Sequence, residues 1–145
     1  MVLRTVQFLA VIFTALTVIC AHLLALPDQI SVLHDTYYVV YHGWWLQLGV
    51  VLIGALIADA TLAVLERNRR IAFWFAVVGF VAVAATLAIC FLWIYPTNEL
   101  TANWTTLPDA QDPPRWRWEY VHAANAILAF IGLCAVTCSV VSYRE

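Results

Sequence analysis

The sequence predicts an all-α fold: four transmembrane helices in an antiparallel, up-down bundle forming a single domain. Three observations carry this. Hydrophobic residues make up 64% of the 145 positions, charged residues 11%, and lysine is absent, so the charged shell of a soluble domain cannot be built. Four apolar runs each approach the roughly 20 residues needed to cross a hydrocarbon core. Finally, the arginines gather at alternate ends of those runs.

The first run, 4–26, is too long for the apolar region of a signal peptide. No small-residue cleavage site precedes Leu26-Pro27-Asp28, so it reads as a retained helix that Pro27 stops. The segment 27–42 is amphipathic and aromatic and is expected as an outer interfacial loop. The second helix is placed at 43–65, opening on Gly43-Trp44-Trp45. A basic turn over 66–70 (Arg67-Asn68-Arg69-Arg70) joins it tightly to the third, 71–95, which should end at Tyr95-Pro96. The outer loop 96–117 follows, with Pro108, Pro113 and Pro114, and then the fourth helix, 118–142. Arg4, Arg67, Arg69, Arg70 and Arg144 fall on one side, and the loop after the first helix has no Arg or Lys. The positive-inside rule therefore puts both termini in the cytoplasm and the two longer loops outside.

The bilayer is thus the first partner. A net charge of −2 and the lack of a broad basic patch argue against nucleic acid. Cys20, Cys90, Cys134 and Cys138 all fall within the helices, which argues against a disulfide framework in the loops; Cys134 and Cys138 read as small apolar packing residues. Six of the seven tryptophans (Trp44, Trp45, Trp93, Trp104, Trp116, Trp118) map to the outer interface and Trp74 to the inner one, an aromatic belt from which some rings can be drawn into a pocket. Gly79, Ala82, Ala84, Ala85 and Ala88 on the third helix, and Ala123, Ala124, Ala126, Ala129 and Gly132 on the fourth, provide for close packing within the bundle or in a homo-oligomer.

The chemistry concentrates at the outer end. Glu119 and His122 open the fourth helix three residues apart, on neighbouring parts of one face. Groups of this kind inside a bilayer are retained because they pair, bind or react. At 100° per residue, His122, Asn125, Ala126 and Ala129 share a face that should point inward. His22 lies five residues before Pro27, about 7 Å inside the outer end of the first helix, so His22, Glu119 and His122 can floor one outward-facing pocket. Imidazoles and a carboxylate suit a single transition metal such as Cu, Fe or Zn, with His42 as a further, weaker ligand. The same groups suit metal-free acid–base work. Interfacial pairing of Glu119 with Arg115 or Arg117 is the competing structural reading. Asp59, two turns from the inner end of the second helix, should pair with the arginine cluster or a polar group on a neighbouring helix.

Several motifs in this order carry a resemblance: Ala21-His22-Leu23-Leu24 with Leu26-Pro27, then Tyr41-His42-Gly43-Trp44, Pro96-Thr97-Asn98, Asn103-Trp104-Thr105, and Trp118-Glu119-Tyr120-Val121-His122-Ala123 preceded by Arg115. Together they resemble the anthrone oxygenase-like family of small four-helix integral membrane proteins, over almost the whole chain. The resemblance implies a location in the bacterial inner membrane, with the site facing the periplasm or outside. It implies an oxygenase-type oxidoreductase acting on a small lipophilic aromatic, without flavin or haem. His22, Glu119 and His122 would be catalytic. Asn98, Asn103, Arg115 and Asn125 would hold the substrate and its developing oxyanion, and Trp104 and Trp118 would stack its rings. Two other classes compete: a metal- or haem-binding membrane protein, and an accessory subunit of a membrane complex in which the polar cluster only staples helices.

Overall fold

The computed structural model describes the backbone of residues 1–24, 34–100 and 113–142, and side chains over 1–20, 49–97, 99–100, 117 and 120–142. Between Val2 and Val141, the described residues are helical except for a turn at 66–69, and no strand occurs among them. The helices are α1 (Val2–Leu24), α2 (His34–Leu65), α3 (Arg70–Ile89), α4 (Tyr95–Leu100) and α5 (Pro113–Val141). A single π-helical turn, Cys90–Ile94, joins α3 to α4 without a break. Val2–Cys20, Arg70–Thr97 and Tyr120–Val141 are long and apolar enough to cross a membrane; the stretch Gly49–Leu65 of α2 is apolar but shorter. The chain is an all-helical integral membrane protein, and the expected count of four long helices fits.

The expected helix limits need correction at the end away from the 66–69 turn. α2 begins at His34 rather than 43, because nothing between His34 and Gly43 breaks a helix. α5 begins at Pro113 rather than 118: proline suits a first helical position, where its missing N–H costs nothing. The third rod runs through Pro96 to Leu100 instead of stopping at 95. The segments expected as loops over 27–42 and 96–117 are therefore helical over 34–42, 96–100 and 113–117. Pro96 is tolerated for a local reason. A proline cannot bond the carbonyl four residues back, and its ring crowds that carbonyl. Here the preceding turn is already widened, with the Tyr95 N–H bonded to the Cys90 carbonyl five residues behind it.

The four long rods pack in a ring, α1 against α2, α2 against α3, α3 against α5, and α5 against α1. Hydrogen bonds fix the register of two seams. Between α1 and α2, Gln7 Nε2 donates to Glu66 Oε1 at 3.1 Å, and Thr14 Oγ1 lies 3.3 Å from both Asp59 carboxyl oxygens. One helix advances seven residues while the other retreats seven, so the pair is antiparallel. Between α3 and α5, Asn125 Nδ2 reaches the Thr86 carbonyl at 3.4 Å and Ser139 Oγ donates to the Ala72 carbonyl at 2.8 Å. That pair is antiparallel too.

Buried positions recur at steps of three and four: Gln7, Ala10, Thr14 and Thr17 on α1; Ala55, Asp59, Leu62 and Glu66 on α2; Ala72, Ala76, Gly79, Val83 and Thr86 on α3; His122, Asn125, Ala129, Gly132, Val136 and Ser139 on α5. This is the seven-residue period of left-handed bundles. Apart from Leu62, Val83 and Val136, what it buries is small or polar, while Phe8, Ile19, Ile57, Trp74, Ile127 and Phe130 face outward. In lipid that arrangement is sensible, since burying a leucine gains little over leaving it among acyl chains. Close approach of small residues and interhelical hydrogen bonds hold the helices instead. Gly79 shows how close: a Cβ placed there would lie 2.5 Å from Val136 Cγ2. Of the small residues expected at contacts, Gly79, Ala82, Ala129 and Gly132 are buried, whereas Ala88 and Ala124 face outward. Cys134 and Cys138 are exposed rather than packed inside, and all four cysteines carry free thiols.

Candidate functional site

In the half of the bundle away from the 66–69 turn, the four rods leave a cavity of about 290 Å³. α1 contributes Thr17 and Cys20, and α2 contributes Gly49, Val51 and Leu52. Thr86, Leu87, Cys90, Phe91, Ile94 and Tyr95 come from the third rod, and His122 and Asn125 from α5. The surface these residues present to the cavity is largely apolar. The polar pocket expected from the sequence rests on His22 and Glu119 as well, whose side chains lie outside the described residues; among the described lining residues, the side chains bearing an imidazole or a carboxamide are His122 and Asn125.

Both reach the cavity because α5 is regular from Pro113 onward. A helix that buries Ala129, Gly132 and Val136 against its neighbours also buries the positions one and two turns earlier on the same face. His122 is 3% exposed and Asn125 7%, as the helical face predicts, while Ala126 is half-buried. Asn125 is held by α3. Its Nδ2 reaches the Thr86 carbonyl, and because a carbonyl can only accept, the amide orientation follows. The Thr86 hydroxyl turns back to the Val83 carbonyl at 2.7 Å and leaves that contact clear. Asn125 Oδ1 is buried and accepts no hydrogen bond among the described residues. A buried amide oxygen in this state costs free energy unless a ligand or water donates to it.

The other residues singled out from the sequence are placed only by backbone. His22 lies in α1, His42 in α2, Asn98 in α4, and Arg115, Trp118 and Glu119 in α5; their side chains lie outside the described residues. Asn103 and Trp104 lie outside them entirely. The convergence of His22 and Glu119 on His122 is therefore a matter for proposal. Among the described residues no group of three or more His, Cys, Asp or Glu side chains comes together.

Sequence reasoning missed Thr17, Thr86 and Ile94 as cavity walls, and missed Gln7, Thr14 and Glu66 as buried polar partners. The available signal was the spacing of Gln7, Thr14 and Thr17, polar positions seven and three apart in a run otherwise free to be uniformly apolar. For Asp59, the partner is a polar group on a neighbouring helix, Thr14, rather than the arginine cluster.

Fold and cavity together define a class: a small helical membrane protein with a chamber between its helices whose described lining is largely apolar and includes the side chains of His122 and Asn125. Comparison with protein-family models, curated proteins and solved structures gave no match.

Proposed function

We propose that the chain is an oxygenase-type membrane oxidoreductase of the anthrone oxygenase-like kind, acting on a small lipophilic aromatic that enters the cavity from the bilayer. The observation that carries this reading is the presence together of a buried imidazole, His122, and Asn125 Oδ1, which accepts no hydrogen bond among the described residues, in a chamber of about 290 Å³ whose described lining is largely apolar. Such a chamber selects an apolar body with few polar groups. In the reaction, His122, assisted by His22, removes a proton from an activated ring CH₂ group. The carbanion gives its electrons to O₂ and forms a C–O bond. The resulting hydroperoxide loses water, leaving a ketone, so that one substrate and one O₂ give one ketone and one H₂O. Glu119 stabilises the imidazolium. Asn98, Asn103 and Arg115 hold the developing oxyanion, while Asn125 accepts a substrate hydroxyl and Trp104 and Trp118 stack the rings.

The same reading puts both termini and the Arg67–Arg70 turn in the cytoplasm, with the cavity toward the periplasmic face of a bacterial inner membrane. The test is O₂ uptake with an anthrone-type substrate by protein purified in detergent without chelator. His122→Ala should fold normally and lose roughly 100-fold or more of turnover, the scale of general-base catalysis. Full turnover by a folded His122→Ala protein sinks the mechanism. Cu, Fe and Zn contents of both preparations decide whether the oxidation is metal-assisted: stoichiometric metal that disappears with His122 would make the imidazole a ligand instead of a base.

A further inference from the structure

The inner half of the α1–α2 seam holds two carboxyl groups that the proposed cavity chemistry does not use. Both are fully buried, but their surroundings differ. Glu66 stands at the end of α2 beside the turn. Its Oε1 accepts from Gln7 Nε2 at 3.1 Å, and its Oε2 lies 3.9 Å from Arg69 Nε. An amide donor and a guanidinium are the partners an ionised carboxylate needs.

Asp59 is seven residues deeper, about 10 Å along the helix. Among the described residues its only hydrogen-bond partner is the Thr14 hydroxyl, and no cation is paired with it. The elements packed around this part of the bundle supply none. No Asp, Glu, Lys, Arg or His occurs from Thr5 to Ala21 on α1, from Ile71 to Thr97 on the third rod, or from Ala123 to Val141 on α5. On α2 itself the next charged group toward the turn is Glu66, of the same sign. A bare carboxylate in such a place is strongly disfavoured. The geometry offers an alternative. Thr14 Oγ1 is equidistant from the two Asp59 oxygens, at 3.3 Å, yet a hydroxyl has one proton to give. A carboxylic acid resolves the shortfall: Thr14 donates to one oxygen and the protonated other oxygen donates back to Thr14.

We propose that Asp59 is a proton-binding site in the membrane interior, filled at neutral pH, with Glu66 standing between it and the turn. The site is separate from the cavity and does not depend on the oxygenase reading.

The experiment uses the full chain in lipid. Infrared spectra at neutral pH should show the C=O stretch of a protonated carboxylic acid. That band should vanish in Asp59→Asn, which preserves shape and neutrality, and persist in Glu66→Gln. In wild-type protein, a lipophilic carbodiimide, which reacts with the protonated acid, should modify the Asp59 peptide. A wild-type spectrum indistinguishable from that of Asp59→Asn, or a wild-type protein whose Asp59 resists the carbodiimide, overturns the proposal. The carbodiimide measurement needs no variant, so the proposal stays exposed to refutation even if one of the substitutions prevents folding.

Discussion

Asn125 commits one half of its amide to the protein and leaves the other half for something else. Its Nδ2 spans the α3–α5 seam, while Oδ1 faces no donor among the described residues. Replacing it by leucine should cost little stability, because an interhelical hydrogen bond in lipid averages about 0.6 kcal/mol and the lost amide oxygen was itself unsatisfied. If the proposed oxidation holds, the same change should raise KM for a hydroxylated substrate and leave a substrate lacking that hydroxyl unaffected. Paired steady-state measurements on the two substrates check this. Gly79 makes the opposite kind of residue-level prediction. A methyl group there meets Val136 Cγ2 at 2.5 Å, so Gly79→Ala should destabilise the bundle by about 1–3 kcal/mol, the usual cost of overpacking. Val136→Ala should restore much of that loss in the double variant, a coupling that thermal melting in one detergent would reveal.

Among elements, α1 and α2 show what a sequence does and does not disclose. Helix length and apolarity are properties of a single segment, and they were legible. So was the inward face of α5, because a regular helix preserves its 100° step from His122 through Asn125 to Ala129. The Gln7–Glu66 and Thr14–Asp59 pairs were not legible, since they depend on the register between two helices, which neither segment discloses by itself. Pro96 misled in another way: a proline normally ends a helix, and only the widened turn before it allows the rod to continue. Cys134 and Cys138, read as small apolar packing residues, are exposed, since in lipid small residues are not confined to the interior. The α1–α2 seam also carries a prediction about pH. If the folded protein holds a proton on Asp59 that the unfolded chain releases at neutral pH, the folded state binds more protons, and its stability must fall as pH rises. Asp59→Asn should flatten this slope. Melting temperatures of the two proteins across neutral to alkaline pH would show it, and parallel curves would remove Asp59 as the cause.

At the scale of the bundle, polarity among the described residues runs inside out: threonines, carboxyls, the amides of Gln7 and Asn125 and an imidazole line the seams, and bulky apolar side chains face outward. Orientation is the global property the proposed function needs most. In Asn68→Cys, within the exposed basic turn, a membrane-impermeant thiol reagent should label only from the cytoplasmic side. The native thiols of Cys134 and Cys138 lie on the lipid-facing surface of α5 and should stay silent. Labelling from the outside would invert the protein and put the cavity in reach of the cytoplasm. The turn at Cys90–Ile94 has a consequence at this scale as well. It accommodates one residue more than the same length of α-helix would, so every side chain beyond it is rotated out of phase with the helix below. In an unbroken α-helix continuing from Val83 and Thr86, position 93 would face the other rods and position 94 would turn aside. Instead Ile94 is 1% exposed in the chamber wall and Trp93 is 43% exposed on the outside. The chamber thus owes its shape to a surplus of one residue in the chain. Shortening this stretch by a single residue would therefore preserve the lower bundle while resetting the phase above it, a cleaner way to probe the chamber than enlarging or trimming any one of its side chains.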